Sequence, residues 1–71
     1  MYLSGATEKV NYRVKAVSGN DDITAFLSTL GCYENTEIVV LKKTRSNYIV
    51  GINGVRYGVD MDIVSAIELC E

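Results

Sequence analysis

Tyr48-Ile49-Val50-Gly51-Ile52-Asn53-Gly54-Val55-Arg56-Tyr57-Gly58-Val59 is the stretch on which the reading of the fold turns. Both central residues of a type I′ turn need positive φ, and Asn53-Gly54 adopts it at little steric cost. Tyr48, Val50 and Ile52 share one face before the turn. Val55, Tyr57 and Val59 alternate with Arg56 and Gly58 after it. The period of two predicts a half-buried hairpin, with one strand over 48–52 and the next starting at Val55.

Upstream, Arg45-Ser46-Asn47 reads as a turn, and Glu37–Lys43 as a β-branched strand that completes a three-strand meander. Tyr33-Glu34-Asn35-Thr36 before it reads as a turn, with Asn35 suited to the left-handed region. Ile23, Phe26, Leu27 and Leu30 fall at i, i+3, i+4 and i+7, which predicts a helix over 22–30 burying that face. Asp21 or Asp22 is the expected N-cap, and Gly31 the expected left-handed stop. Val10-Asn11-Tyr12-Arg13-Val14-Lys15-Ala16 alternates as a strand, broken by Ser18-Gly19-Asn20. Tyr2-Leu3-Ser4 reads as a docking N-terminal segment. Downstream, 60–65 reads as a single helical or 3-10 turn capped by Asp60, and 66–69 as a last short strand.

Five short strands and one helix in 71 residues predict one domain over 1–71, mainly β. A flat sheet this small would leave two open edges, so closure into a small barrel is expected, with the helix over one end. The apolar share of 48% suits a globular chain. The formal charge of −2 is interspersed, with no basic block of the kind a nucleic-acid binder needs. Lys42, Lys43 and Arg45 form the densest positive cluster and read as solvated edge protection. Cys32 and Cys70 are too few for a disulfide framework. Residues 1–10 do not read as a signal peptide, and Ile38-Val39-Val40-Leu41 is too short to span a bilayer. A cytosolic protein with two reduced thiols is expected.

The run of features in order resembles the FeoA family, small proteins of bacterial ferrous iron transport with an SH3-like barrel. Leu27, Leu30 and Gly31 resemble its Leu-x-x-Leu-Gly. Asn35-Thr36-Glu37-Ile38-Val39-Val40-Leu41 resembles its Gly-x-x-Ile-x-Val-Leu, with Asn35 in place of glycine. Gly54-Val55-Arg56-Tyr57-Gly58-Val59 resembles its Gly-x-Arg-x-Ala-Leu, with Gly58 in place of alanine. Val64, Ile67 and Leu69 resemble its closing Ala-x-x-Ile-x-Val. The arginine often found before the family's Leu-Gly is missing: Ala25 and Phe26 occupy that stretch. The resemblance implies a five-stranded SH3-like barrel with one short α-helix between strands 1 and 2. It implies an accessory protein whose partner is the cytosolic GTP-binding part of the membrane transporter FeoB.

Chemistry within the chain is not expected. There is no histidine, so Ser–His and Cys–His pairs are excluded and most metal sets fail. Asp60 and Asp62 would splay apart on a helical turn, and Cys70 with Glu68 and Glu71 lies at the chain end. Neither cofactor nor metal is expected. Lysines on polar strand faces or turns stay hydrated and charged, hence poor bases. Cys32 reads as a small turn residue. Gly51-Ile52-Asn53-Gly54 is a hairpin with no helix following, so it is not a phosphate loop.

Partner contact is the remaining role. The Leu30-Gly31-Cys32-Tyr33 corner is the expected surface, with Leu30, Gly31 and Tyr33 at its centre. Tyrosine combines apolar area with a hydroxyl that tolerates water. Tyr48 and Tyr57, in phase with Val50 and Val59, read as core. Arg45, in an exposed turn, is placed to reach a partner's nucleotide from outside; the plainer reading is a solvated arginine. Two other readings stand beside this one. One is a free-standing regulatory domain akin to the C-terminal domain of iron-dependent repressors. The other is a general peptide-binding SH3-like module. An exposed edge strand or the helix corner could also pair with a second copy.

Overall fold

The computed structural model describes residues 1–70. A 3-10 turn at Leu3–Gly5 leads into β1 (Asn11–Val17), α1 (Asp21–Thr29), β2 (Glu37–Lys43), β3 (Asn47–Ile52), β4 (Val55–Asp60), α2 (Met61–Ala66) and β5 (Ile67–Leu69). All strand pairs are antiparallel, in the order β4-β3-β2-β1-β5. The expected mainly β, SH3-like architecture with a helix between the first two strands is what forms.

The barrel curves at β1. Its first half, Asn11–Arg13, pairs with β2, and its second half, Val14–Val17, pairs with β5. A register shift between Val14 and Ala16 marks the change. The irregularity also resets the alternation. Ala16, expected on the inward face, is exposed, and Val17 turns toward the core instead. Val10 lies outside the strand and is exposed. The core gathers Leu3, Val14, Leu27, Ile38, Val40, Val50, Ile52, Val64, Ile67 and Leu69, each almost sealed from solvent. Tyr48 and Val59 join them and Tyr57 packs half-buried against them, as their phase predicts.

Asn53 (φ 53°) and Gly54 (φ +80°) close the β3–β4 hairpin with Ile52 opposite Val55. Asp60 caps α2 by accepting from the Ile63 N–H at 3.1 Å. That segment is a six-residue α-helix, longer than the single turn expected.

Three expectations are corrected. Asn20, rather than Asp21 or Asp22, caps α1: its Oδ1 accepts from the Ile23 N–H at 2.9 Å. The two aspartates fall in the first turn, where their charge still suits the dipole. Phe26 is not core: it is 42% exposed, whereas Leu27 is sealed at 0%. α1 rests on the barrel rim, and only the narrow stripe Ile23, Leu27 and Leu30 meets the core. Lys43, read as a solvated lysine, is half-buried. A register shift between Val40 and Lys42 brings it opposite Tyr48, with Nζ 5.5 Å from the ring centroid. There Nζ donates to the Ser4 carbonyl, and the Lys43 N–H donates to the Glu8 carboxylate. Lys43 thus ties the N-terminal segment to the barrel.

Cys32 is the fourth correction. Read as a small turn residue, it does follow the helix end, but its side chain belongs to the core, 2% accessible. The Gly31 N–H donates to Ser28 O (3.0 Å), and the Cys32 N–H reaches back to Leu27 O (2.9 Å). That pair of bonds is a Schellman ending, which brings the side chains of Cys32 and Leu27 inward together. Burial pushes the Cys32 thiol up from its ordinary value.

Two outcomes are expected. Leu27→Ala lowers stability by about 2–5 kcal/mol, whereas Phe26→Ala changes it by about 1 kcal/mol or less; urea unfolding midpoints separate the two. At pH 8, a water-soluble disulfide reagent titrates Cys70 in the folded chain and reaches Cys32 only after urea unfolds it.

Candidate protein-interaction surface

The corner at the end of α1 is built from hydrogen bonds between close neighbours. Leu30 is the last αR residue and Gly31 (φ +79°) turns the chain out of the helix. A Cβ at Gly31 would stand 2.6 Å from Asn53 Nδ2, so the position excludes a side chain both by conformation and by contact. The Gly31 carbonyl accepts from Thr36 Oγ1 at 3.3 Å and from Asn53 Nδ2 at 3.4 Å. Hence the helix exit, the following turn and the β3–β4 hairpin meet at one carbonyl.

Tyr33 stands on this platform. It is 57% exposed, yet its hydroxyl donates to Ser28 O at 3.1 Å, which lays the ring back along the last turn of α1. The Tyr33 N–H donates to Thr36 Oγ1 at 3.0 Å, and Asn35 (φ 72°) closes the turn as its type suggests. Leu30 is half-buried beside it. Phe26, four residues before Leu30, lies on the adjoining strip of helix and is exposed. Phe26 was missed in the sequence because its spacing fits a buried stripe as well as Ile23 does.

Arg45 does not join this corner. It lies in the β2–β3 turn, an exposed turn closed by Thr44 and Asn47. Asn53, which touches Gly31, is at the other end of β3, about 20 Å along a strand of this length. The structure therefore brings Leu30, Gly31 and Tyr33 together and leaves Arg45 apart.

The outer face of the sheet carries a second feature. Val39 and Leu41 flank Gly51, and Ile49 lies beside Gly58. Lys9, Lys42 and Arg56 surround Leu41 and Ile49. Charges that are interspersed along the chain are thus partly sorted by the fold. Among the described residues no three of His, Cys, Asp and Glu gather as metal ligands. Glu71, weighed with Glu68 and Cys70 for that role, lies outside the described residues. No helix among them is long and apolar enough to cross a membrane.

The architecture is shared with solved structures. FeoA from Chlorobium tepidum is 20% identical, with a TM-score of 0.87, over 97% of this chain and 68% of that one. Stenotrophomonas maltophilia FeoA, solved with zinc and described as a procaryotic SH3 domain protein, is 20% identical. Its TM-score is 0.85, over 99% of this chain and 89% of that one. The manganese-activated repressor ScaR in its apo form is 22% identical with a TM-score of 0.85. Against ScaR, 97% of this chain aligns, spanning only 34% of the repressor. Among curated proteins, none matches this sequence. The sequence pattern of the FeoA domain matches residues 1–69, the span that carries every strand and both helices. With that match over nearly its whole length, the chain belongs to the FeoA domain family.

Proposed function

We propose that the chain is a cytosolic accessory protein of ferrous iron uptake, one domain over 1–71, that docks on the cytosolic GTP-binding part of a FeoB-type transporter and modulates it. It performs no chemistry of its own in this reading. One observation carries the docking surface: Tyr33 is held exposed on a corner fixed by hydrogen bonds, its hydroxyl on Ser28 O and its N–H on Thr36 Oγ1. A tyrosine fixed in place and exposed offers a partner apolar area and a hydroxyl that tolerates water. Because neighbours already fix the backbone there, little ordering is lost on contact. Family membership supports the setting, as does the S. maltophilia relative, proposed as a bacterial ferrous iron transport activating factor.

A second reading is a regulatory domain of the repressor kind, standing alone. The fold shared with one third of ScaR favours it. Among the described residues α1 and α2 are separated by three strands, so no helix-turn-helix forms, and in this reading the domain acts through a protein partner.

Binding of the full chain to the purified cytosolic GTP-binding domain of the cognate transporter tests the first reading. Tyr33→Ala and Leu30→Asp are each expected to weaken the complex about tenfold or more, as truncated interface anchors do. Circular dichroism checks that both variants fold. No detectable complex, or one indifferent to both substitutions, removes the proposed surface. Arg45→Ala is expected to leave binding intact because it stands away from the corner. If the partner's GTP turnover is unchanged by Arg45→Ala, an arginine supplied in trans is excluded.

A further inference from the structure

The two ends of the sheet are finished differently. At β5, Tyr2 bridges to Glu68 and the Met1 carbonyl accepts from the Leu69 N–H at 2.6 Å, so the N-terminal segment covers that edge. At β4, nothing among the described residues does so. β4 ends the strand order, and apart from Asp60, which begins α2, its backbone bonds only to β3. Ile52 and Val55 flank the two-residue turn and therefore exchange hydrogen bonds. Alternation then directs the N–H and C=O groups of Tyr57 and Val59 to β3 as well. The N–H and C=O groups of Arg56 and Gly58 point outward.

Proteins that stay single usually blunt such an edge with a proline, a bulge or charged side chains, lysine above all. β4 has no proline or lysine, pairs with β3 in unbroken register, and carries one charge of each sign, Arg56 and Asp60, which a second copy can match. Gly58 needs no glycine for the sake of this chain. It carries no positive φ, and an added Cβ would meet only Ile49 Cδ1 at an ordinary 3.7 Å. We infer that β4 pairs antiparallel with β4 of a second copy about a two-fold axis at Tyr57, with Arg56 of each copy opposite Gly58 of the other.

Two nearby registers are worse. An axis at Arg56 sets two guanidinium groups opposite each other, a like-charge pair. An axis at Gly58 needs both outward groups of Asp60, whose carbonyl already begins α2. The axis at Tyr57 uses all four outward groups of each copy's Arg56 and Gly58. It leaves each arginine stem lying over a glycine. The two diagonal neighbours on the other copy are Asp60 and Arg56, each about 7–8 Å away, and the long side chain turns toward the carboxylate. One Asp60 oxygen holds the Ile63 N–H, leaving the other for the guanidinium. The two Tyr57 rings meet as a non-hydrogen-bonded cross-strand pair, the closer kind. The Asn53 turns fall at opposite ends, about 27 Å apart along the joined strands at 3.4 Å per residue, so both Tyr33 corners stay free.

Sedimentation of the full chain over a range of concentrations tests this, with Gly58→Lys and Gly58→Glu as paired variants. The wild type is expected to form a concentration-dependent dimer. Gly58→Lys faces Arg56 of the other copy twice and is expected to weaken the dimer roughly tenfold or more, while Gly58→Glu holds or tightens it. Circular dichroism confirms that both variants are folded. A wild-type chain that remains a monomer at millimolar concentration overturns the proposal, as does a dimer unmoved by Gly58→Lys. A Gly58→Glu dimer as weak as that of Gly58→Lys overturns the register.

Discussion

Val14 sits where β1 leaves one partner strand and joins another. Its own N–H donates to the Thr36 carbonyl, and its carbonyl accepts from the Asn35 N–H, while its Cα faces Leu69 of β5. One residue thus fastens the turn before β2, the last strand and the middle of β1. Fully buried, it has no room to shift. The bend that follows lets one short strand serve both halves of the sheet. Without it, β5 would lose its pairing with β1, and Ile67 and Leu69 their place in the core.

The exposed corner is a product of the same economy. A nine-residue helix is too short to be stable alone, so α1 depends on its cap at Asn20, its Schellman ending and the insertion of Leu27. The ending that draws Cys32 inward also projects the next residue, Tyr33, outward. Rigidity and exposure at that corner come from one set of hydrogen bonds. At the far side of the sheet, the hairpin that touches this corner through Asn53 continues into the unpaired edge of β4.

Features set by one or two adjacent residues could be read from the sequence. Asn53-Gly54, Asn35, Gly31 and Asp60 each adopt the conformation that their chemistry favours, because local sterics decide it. Features set by distant strands could not. The irregularities at Val14/Ala16 and Val40/Lys42 leave no local signature, so the inward turns of Val17 and Lys43 were invisible. Helical spacing placed Phe26 and Ile23 alike; only the position of the rim shows that one is wet. Along the chain Arg45 lies twelve residues beyond Tyr33, yet β3 carries the Asn53 turn that meets the corner away from it.

The split pairing of β1 also governs how the chain can be made. Residues 14–17 find their strand partners only at 67–69, more than two thirds of the sequence away. Contacts of such long range close late and slow the search for the native state. During synthesis β1 emerges long before β5, so half of it waits unpaired while the meander can already form. The last few residues of the sheet therefore act as the latch of the barrel: until they arrive, the second half of β1 has no strand to pair with.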